Sequence, residues 1–122
     1  MTKEMVNHPD HYMNASGVEC IDVVKHMMFS SGNAMKYIYR LGNKDEAKQE
    51  IKKAIFYLNV ASQENEYNDY RNITKEAMKI LFDKIIAVQP EKIGKAMLSI
   101  YYEEWEMAAV YLKDYLEILS EL

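Results

Sequence analysis

Cysteine occurs once in the 122 residues, at Cys20, which excludes an intramolecular disulfide and fits a reducing cytosol. Proline occurs twice and glycine four times, leaving little material for the tight turns that a hairpin-rich sheet protein needs. The longest purely apolar run, Met107 to Leu112, is far too short to span a bilayer as a helix. No charged, then apolar, then small-residue pattern opens the chain, so no secretory leader is expected. An excess of basic residues is also missing. Against 15 Lys and Arg stand 19 Asp and Glu, a net charge of −4. That balance disfavours a duplex-binding face, which draws its affinity from clustered Lys and Arg. The expectation is a soluble, cytoplasmic, single-domain protein that can bury a core without metal or disulfide staples.

Lys, Glu, Ala, Met and Leu are abundant, and their spacing predicts an all-α chain: a single-domain bundle of about five helices behind an irregular arm at residues 1–17. A first helix is expected from Glu19 to about Phe29. Ser30-Ser31-Gly32 then breaks the pattern and offers a cap for a second helix, Asn33 to Leu41. A third helix begins near Asp45 with the stripe Ala47, Ile51, Ala54, Ile55, Leu58 and Ala61. Residues 63–72, QENEYNDYRN, read as a linker between a motif-bearing half (1–62) and a second helical half (73–122). A fourth helix is expected from Thr74 to Val88 with Ala77, Ile80, Leu81, Ile85 and Val88 inward. The remainder, Glu91 to Leu119, reads as one long helix or as two with a kink near Tyr101–Tyr102.

The glycines are too scattered for a phosphate-cradling P-loop or a dinucleotide turn, and the metalloprotease and nucleophile-elbow patterns are absent. Four clusters remain as carriers of chemistry. In Asn7-His8-Pro9-Asp10-His11-Tyr12, two imidazoles beside a carboxylate suit acid–base work or a metal, and equally a proline turn with local hydrogen bonds. Glu19 and Asp22 lie three apart on one helical face, where paired carboxylates can hold a cation or simply favour a helix N-terminus. Asn33, Lys36 or Tyr37, and Arg40 share a stripe that Lys44 extends, with no acid between positions 33 and 44. Arg and Lys bind phosphate, Asn and Tyr can meet a sugar or base, and the backbone amides near Asn33 add an anion-binding helix start. The plainer alternative is a solvated basic face. Finally, Lys53 and Tyr57 lie four apart on the third helix, so Lys53 joins the same anion site if the second and third helices pack as an antiparallel pair, or else pairs with Gln49 or faces solvent.

These clusters in order resemble a small bacteriophage family described as SaV-like or nucleotide-kinase-like. The likeness rests on Val6-Asn7-His8-Pro9-x-His11-Tyr12, Gly17-x-Glu19-Cys20-Ile21-Asp22-Val23, Gly32-Asn33-Ala34-x-Lys36-Tyr37-Ile38-x-Arg40 and Lys52-Lys53-Ala54-Ile55-x-Tyr57-Leu58. It covers about residues 5–60. It implies a phage-encoded nucleotide-binding protein of the host cytoplasm, oligomeric, whose best-known branch transfers a phosphoryl group to a deoxynucleoside monophosphate. Carried over by position, the motif residues are His8, His11, Tyr12, Glu19, Asp22, Asn33, Lys36, Tyr37, Arg40, Lys53 and Tyr57. Asp10 stands where the family more often has Ser, and Leu41-Gly42-Asn43-Lys44 replaces a plainer Gly-Lys run.

The expected function is therefore a nucleotide-binding protein resembling a nucleoside monophosphate kinase without a P-loop. Lys36, Arg40, Lys44 and Lys53 would hold phosphates; Tyr12, Tyr37 or Tyr57 would stack on a base; His8 or His11 would act as acid–base groups. Glu19 and Asp22 would meet the sugar or Mg²⁺. The alternative is a non-catalytic protein that sequesters a nucleotide signal or inhibits a host defence or replication factor. A homo-oligomer is expected from the aromatic-rich final segment, namely Tyr101, Tyr102, Trp105, Tyr111 and Tyr115.

Overall fold

A computed structural model describes residues 15–41 and 44–122. Among the described residues the chain is all-α, with six helices: α1 (Cys20–Val24), α2 (Phe29–Tyr39), α3 (Lys44–Gln63), α4 (Lys75–Ile86), α5 (Glu91–Tyr101) and α6 (Trp105–Ser120). The arm motif, with His8, His11 and Tyr12, lies outside the described residues.

The long helix α3 organises the fold. Ala47, Ile51, Ala54, Leu58 and Ala61 recur at three- and four-residue spacing and are buried, as their periodicity predicts, while Ile55 of the expected stripe is half-buried at its edge. Asp45 and Glu46 sit in its first turn, favourable to the helix dipole. The α3 stripe packs against α2 on one side and against α6 on the other. Helices α4 and α5 complete the layer by packing on each other, and α5 packs on α6. All these faces feed one continuous apolar cluster, in which Val23, Met35, Ile38, Phe82, Ile93, Met97 and Leu112 are fully buried.

The boundary between the first two helices differs from the sequence expectation, for a tertiary reason. Helix α1 stops at Val24, and α2 begins at Phe29, so Ser30-Ser31-Gly32 forms the first turn of α2 instead of a break before it. Met28, at the N-cap, supplies no side-chain acceptor. The capping acceptor is Glu66, whose carboxylate receives the amides of Ser30 (3.1 Å) and Ser31 (2.7 Å). A cap 35 residues away along the chain has no local signature.

The final segment divides into α5 and α6 at a corner where Glu103 takes φ +63°. The Glu104 amide donates to Ser99 O (2.8 Å) and the Glu103 amide to Ile100 O (3.1 Å), a Schellman ending with a non-glycine residue in the left-handed position. The same motif ends α3, with Asn65 at φ +52° and Glu66 N donating to Ala61 O at 2.8 Å. Helix α4 begins where expected, with Thr74 Oγ1 accepting the Ala77 amide (3.0 Å). Its buried stripe, however, is Met78, Phe82 and Ile85, while Ile80 is 57% exposed and Val88 also lies outside. Two overlapping stripes share Ile85. The close approach of α5 selects the first: a Cβ on Gly94 would meet Ile86 Cγ2 at 3.2 Å, so glycine lets the two backbones come together.

Residues 64–74 are a latched loop. Asn68 donates through Nδ2 to Ile100 O (3.1 Å) and Tyr101 O (2.8 Å), and its amide donates to Glu103 Oε1 (2.7 Å). Trp105 Nε1 donates to Glu66 O (3.0 Å). His26 Nδ1 donates to Arg71 O, tying the loop to the α1–α2 turn.

Candidate functional site

The packing of α2 on α3 brings together four of the residues expected to bind. Tyr37 and Tyr57 stack with ring centroids 5.9 Å apart and an interplanar angle of 16°. The Lys36 ammonium lies 5.8 Å from the Tyr37 centroid and that of Lys53 lies 5.4 Å from it, both within cation–π range. Lys53 also pairs with Glu50 at 3.5 Å instead of with Gln49, and remains 54% exposed. Its charge is therefore partly compensated and still available to solvent.

This pair of rings belongs to a larger aromatic patch. Phe29 approaches Tyr57 edge-on at 6.0 Å, and Phe56 does so at 5.3 Å. Neither phenylalanine was expected at the site. The legible signal was positional, since Phe29 lies one helical turn before Asn33 and Phe56 one turn after Lys52. Beside Phe29 runs a groove of about 230 Å³ lined by Val24, Met27, Met28, Gly32, Asn33 and Lys36. Asn33 turns its Nδ2 inward along its own helix, donating to Phe29 O at 2.7 Å.

The other expected residues are placed differently. Glu19 and Asp22 bracket the start of α1 in a capping box, with the Glu19 amide donating to Asp22 Oδ2 at 2.9 Å. Both carboxylates thus sit in the helix-starting geometry of the plainer reading. Among the described residues no group of three or more His, Cys, Asp and Glu converges as a metal site. Arg40 lies at the C-cap of α2, one turn beyond Lys36, on the side of Cys20. Burial pushes the Cys20 thiol up to about 11, and the nearby positive charges of Arg40 and Lys36 only partly oppose that rise. Cys20 is accordingly a neutral core thiol and no nucleophile at physiological pH. Lys44 is the first residue of α3.

The expected anion site at the start of the second helix is corrected. Its backbone amides belong to Ser30 and Ser31, three and two residues before Asn33, and the anion they bind is the Glu66 carboxylate of this same chain. The oligomer expectation loses most of its aromatic basis in the same way. Trp105 is buried, Tyr101 packs on Tyr70 and Phe82 at 5.8 and 5.5 Å, and only Tyr102 of the five is strongly exposed.

No helix among the described residues is long and apolar enough to cross a membrane. Residues 6–59 match the model of a family described as a protein of unknown function, DUF3310. Over 65 residues the chain is 38% identical to the Gene 1.7 protein of Enterobacteria phage T3, an alignment covering 45% of this chain and 40% of that one. The chain therefore spans less than half the length of that relative. No solved structure matches.

Proposed function

We propose that this is a phage protein whose α2–α3 surface binds a nucleotide, with phosphoryl transfer to a nucleoside monophosphate as the reaction class. The observation that carries the reading is the convergence of Lys36 and Lys53 on the Tyr37–Tyr57 stack from two different helices. Ammonium groups neutralise phosphate, and aromatic faces hold a base without needing to know its identity. Arg40 extends the cationic stripe along α2. The motif histidines His8 and His11, with Tyr12, are assigned to the same function as acid–base and stacking groups. The family match over residues 6–59 takes in the α2–α3 motif, and the similarity to a phage protein supports the origin. In this reading the chain also forms a homo-oligomer, through the exposed Leu98, Tyr102, Met107 and Val110 of α5, α6 and the corner between them.

The test is to titrate the purified chain with each nucleoside monophosphate and ATP by calorimetry, then assay the mixtures for diphosphate. Binding is expected, and Lys36→Ala and Lys53→Ala should each weaken it by about tenfold or more, since each charged contact contributes roughly 1.5–3 kcal/mol. Diphosphate formation establishes the kinase. Stoichiometric binding without turnover establishes a sequestering protein, and absence of binding overturns the proposal.

A further inference from the structure

The outer rings of the aromatic patch are not accounted for by packing or by a pocket for one nucleotide. Phe29 is 74% exposed and Phe56 61% exposed, yet both touch Tyr57 edge-on, at interplanar angles of 78° and 81°. Burying a phenylalanine side chain is favourable, so two left on one face of a small helical protein mark a surface that something else covers. Rings this exposed are not walls of an enclosed nucleoside cavity. They flank a central tyrosine along an open surface.

The charges on that surface say what covers it. Lys36 and Lys53 lie against Tyr37, and the exposed Lys52 sits one turn before Phe56 on the same side of α3. Two neighbouring acids are engaged: Glu50 pairs with Lys53, and the Glu66 carboxylate takes the amides of Ser30 and Ser31 at the start of α2. Cations alternating with aromatic faces are complementary to a chain of phosphates alternating with bases. A duplex keeps its bases stacked inside and offers no such faces, and the net charge of −4 gives no broad field to hold one.

We infer that the Phe29–Tyr57–Phe56 surface binds single-stranded nucleic acid several nucleotides long, more tightly than a lone nucleotide. This deepens the nucleotide reading and rests on it. One base stacks on Phe29 beside the methionine-lined groove, a following base stacks on Phe56, and Lys36, Lys52 and Lys53 meet the intervening phosphates. Because stacking accepts any base, the surface reads the single-stranded state and not the sequence.

The test uses the full chain and fluorescein-labelled oligothymidylates of two, four and eight nucleotides, read by anisotropy, beside thymidine monophosphate read by calorimetry. The octamer is expected to bind at least about tenfold more tightly than the monophosphate and to weaken steeply with added salt. Phe29→Ala and Phe56→Ala are surface changes that should leave the far-ultraviolet circular dichroism intact. Each should weaken octamer binding by about tenfold, the loss of one stacked base. Monophosphate binding with no gain on lengthening the strand overturns this inference and leaves the nucleotide reading standing. Octamer binding indifferent to both phenylalanine substitutions also overturns it, and failure of every ligand overturns both.

Discussion

At the residue scale, Glu66 has the widest reach. Its carboxylate takes two amides at the start of α2, while its backbone carbonyl takes the Trp105 indole of α6. Helix α2 carries Lys36, Tyr37 and Arg40, so one glutamate fixes where the candidate site begins. Two charge-assisted bonds at a helix N-terminus exceed an ordinary cap. Glu66→Ala should therefore lower stability by roughly 1–3 kcal/mol. Glu66→Gln, which keeps an acceptor but loses the charge, should lose less. Urea unfolding with an unchanged m-value measures both, and a neutral Glu66→Ala would refute the assignment. None of this was legible in the sequence, where Glu66 is one acid among the polar residues of QENEYNDYRN. By contrast, Thr74 announced itself, because its cap acts on an amide only three residues away.

At the scale of elements, two helices end on a left-handed residue that is not glycine. Asn65 closes α3 and Glu103 closes α5, each with positive φ. Asparagine tolerates this region, whereas a β-carbon without a compensating polar group costs about 1 kcal/mol there. Asn65→Gly should be neutral or slightly stabilising, and Asn65→Ala should destabilise by about 1 kcal/mol, both readable as shifts in the urea midpoint. The Glu103 corner explains why the final segment resisted a choice between one helix and two. Periodicity runs through it nearly unbroken, and the decision comes from Asn68, which occupies the carbonyls of Ile100 and Tyr101 from the latched loop. Helix α4 shows the same limit. Its existence and ends follow from Thr74 and Pro90, but its sequence supports two apolar stripes. Contact with α5 and Tyr101 settles that Phe82 goes in and Ile80 stays out.

At the scale of the whole molecule, α3 joins the motif-bearing residues to the C-terminal helices, and the apolar cluster continues across residues 64–74. Those residues are tied to the α1–α2 turn, α2, α5 and α6 by the bonds of Glu66, Asn68, Arg71 and Trp105, so the two halves should lose structure together. Trp105, the sole tryptophan, reports on that joint. Its fluorescence transition in urea should coincide with the loss of helical circular dichroism, and two separated transitions would show independent halves. The sequence by itself determined the all-α class, the α3 stripe, and the placing of Lys36 and Tyr37 on one helix and of Lys53 and Tyr57 four apart on the next. These depend on spacing of three or four residues, which is local and periodic. Only the tertiary structure decided that Tyr37 and Tyr57 stack, that Phe29 and Phe56 stand exposed beside them, and that the start of α2 is already filled by Glu66. Those facts depend on how separate helices approach, and contacts between residues 20 to 40 positions apart leave no periodic trace in the chain.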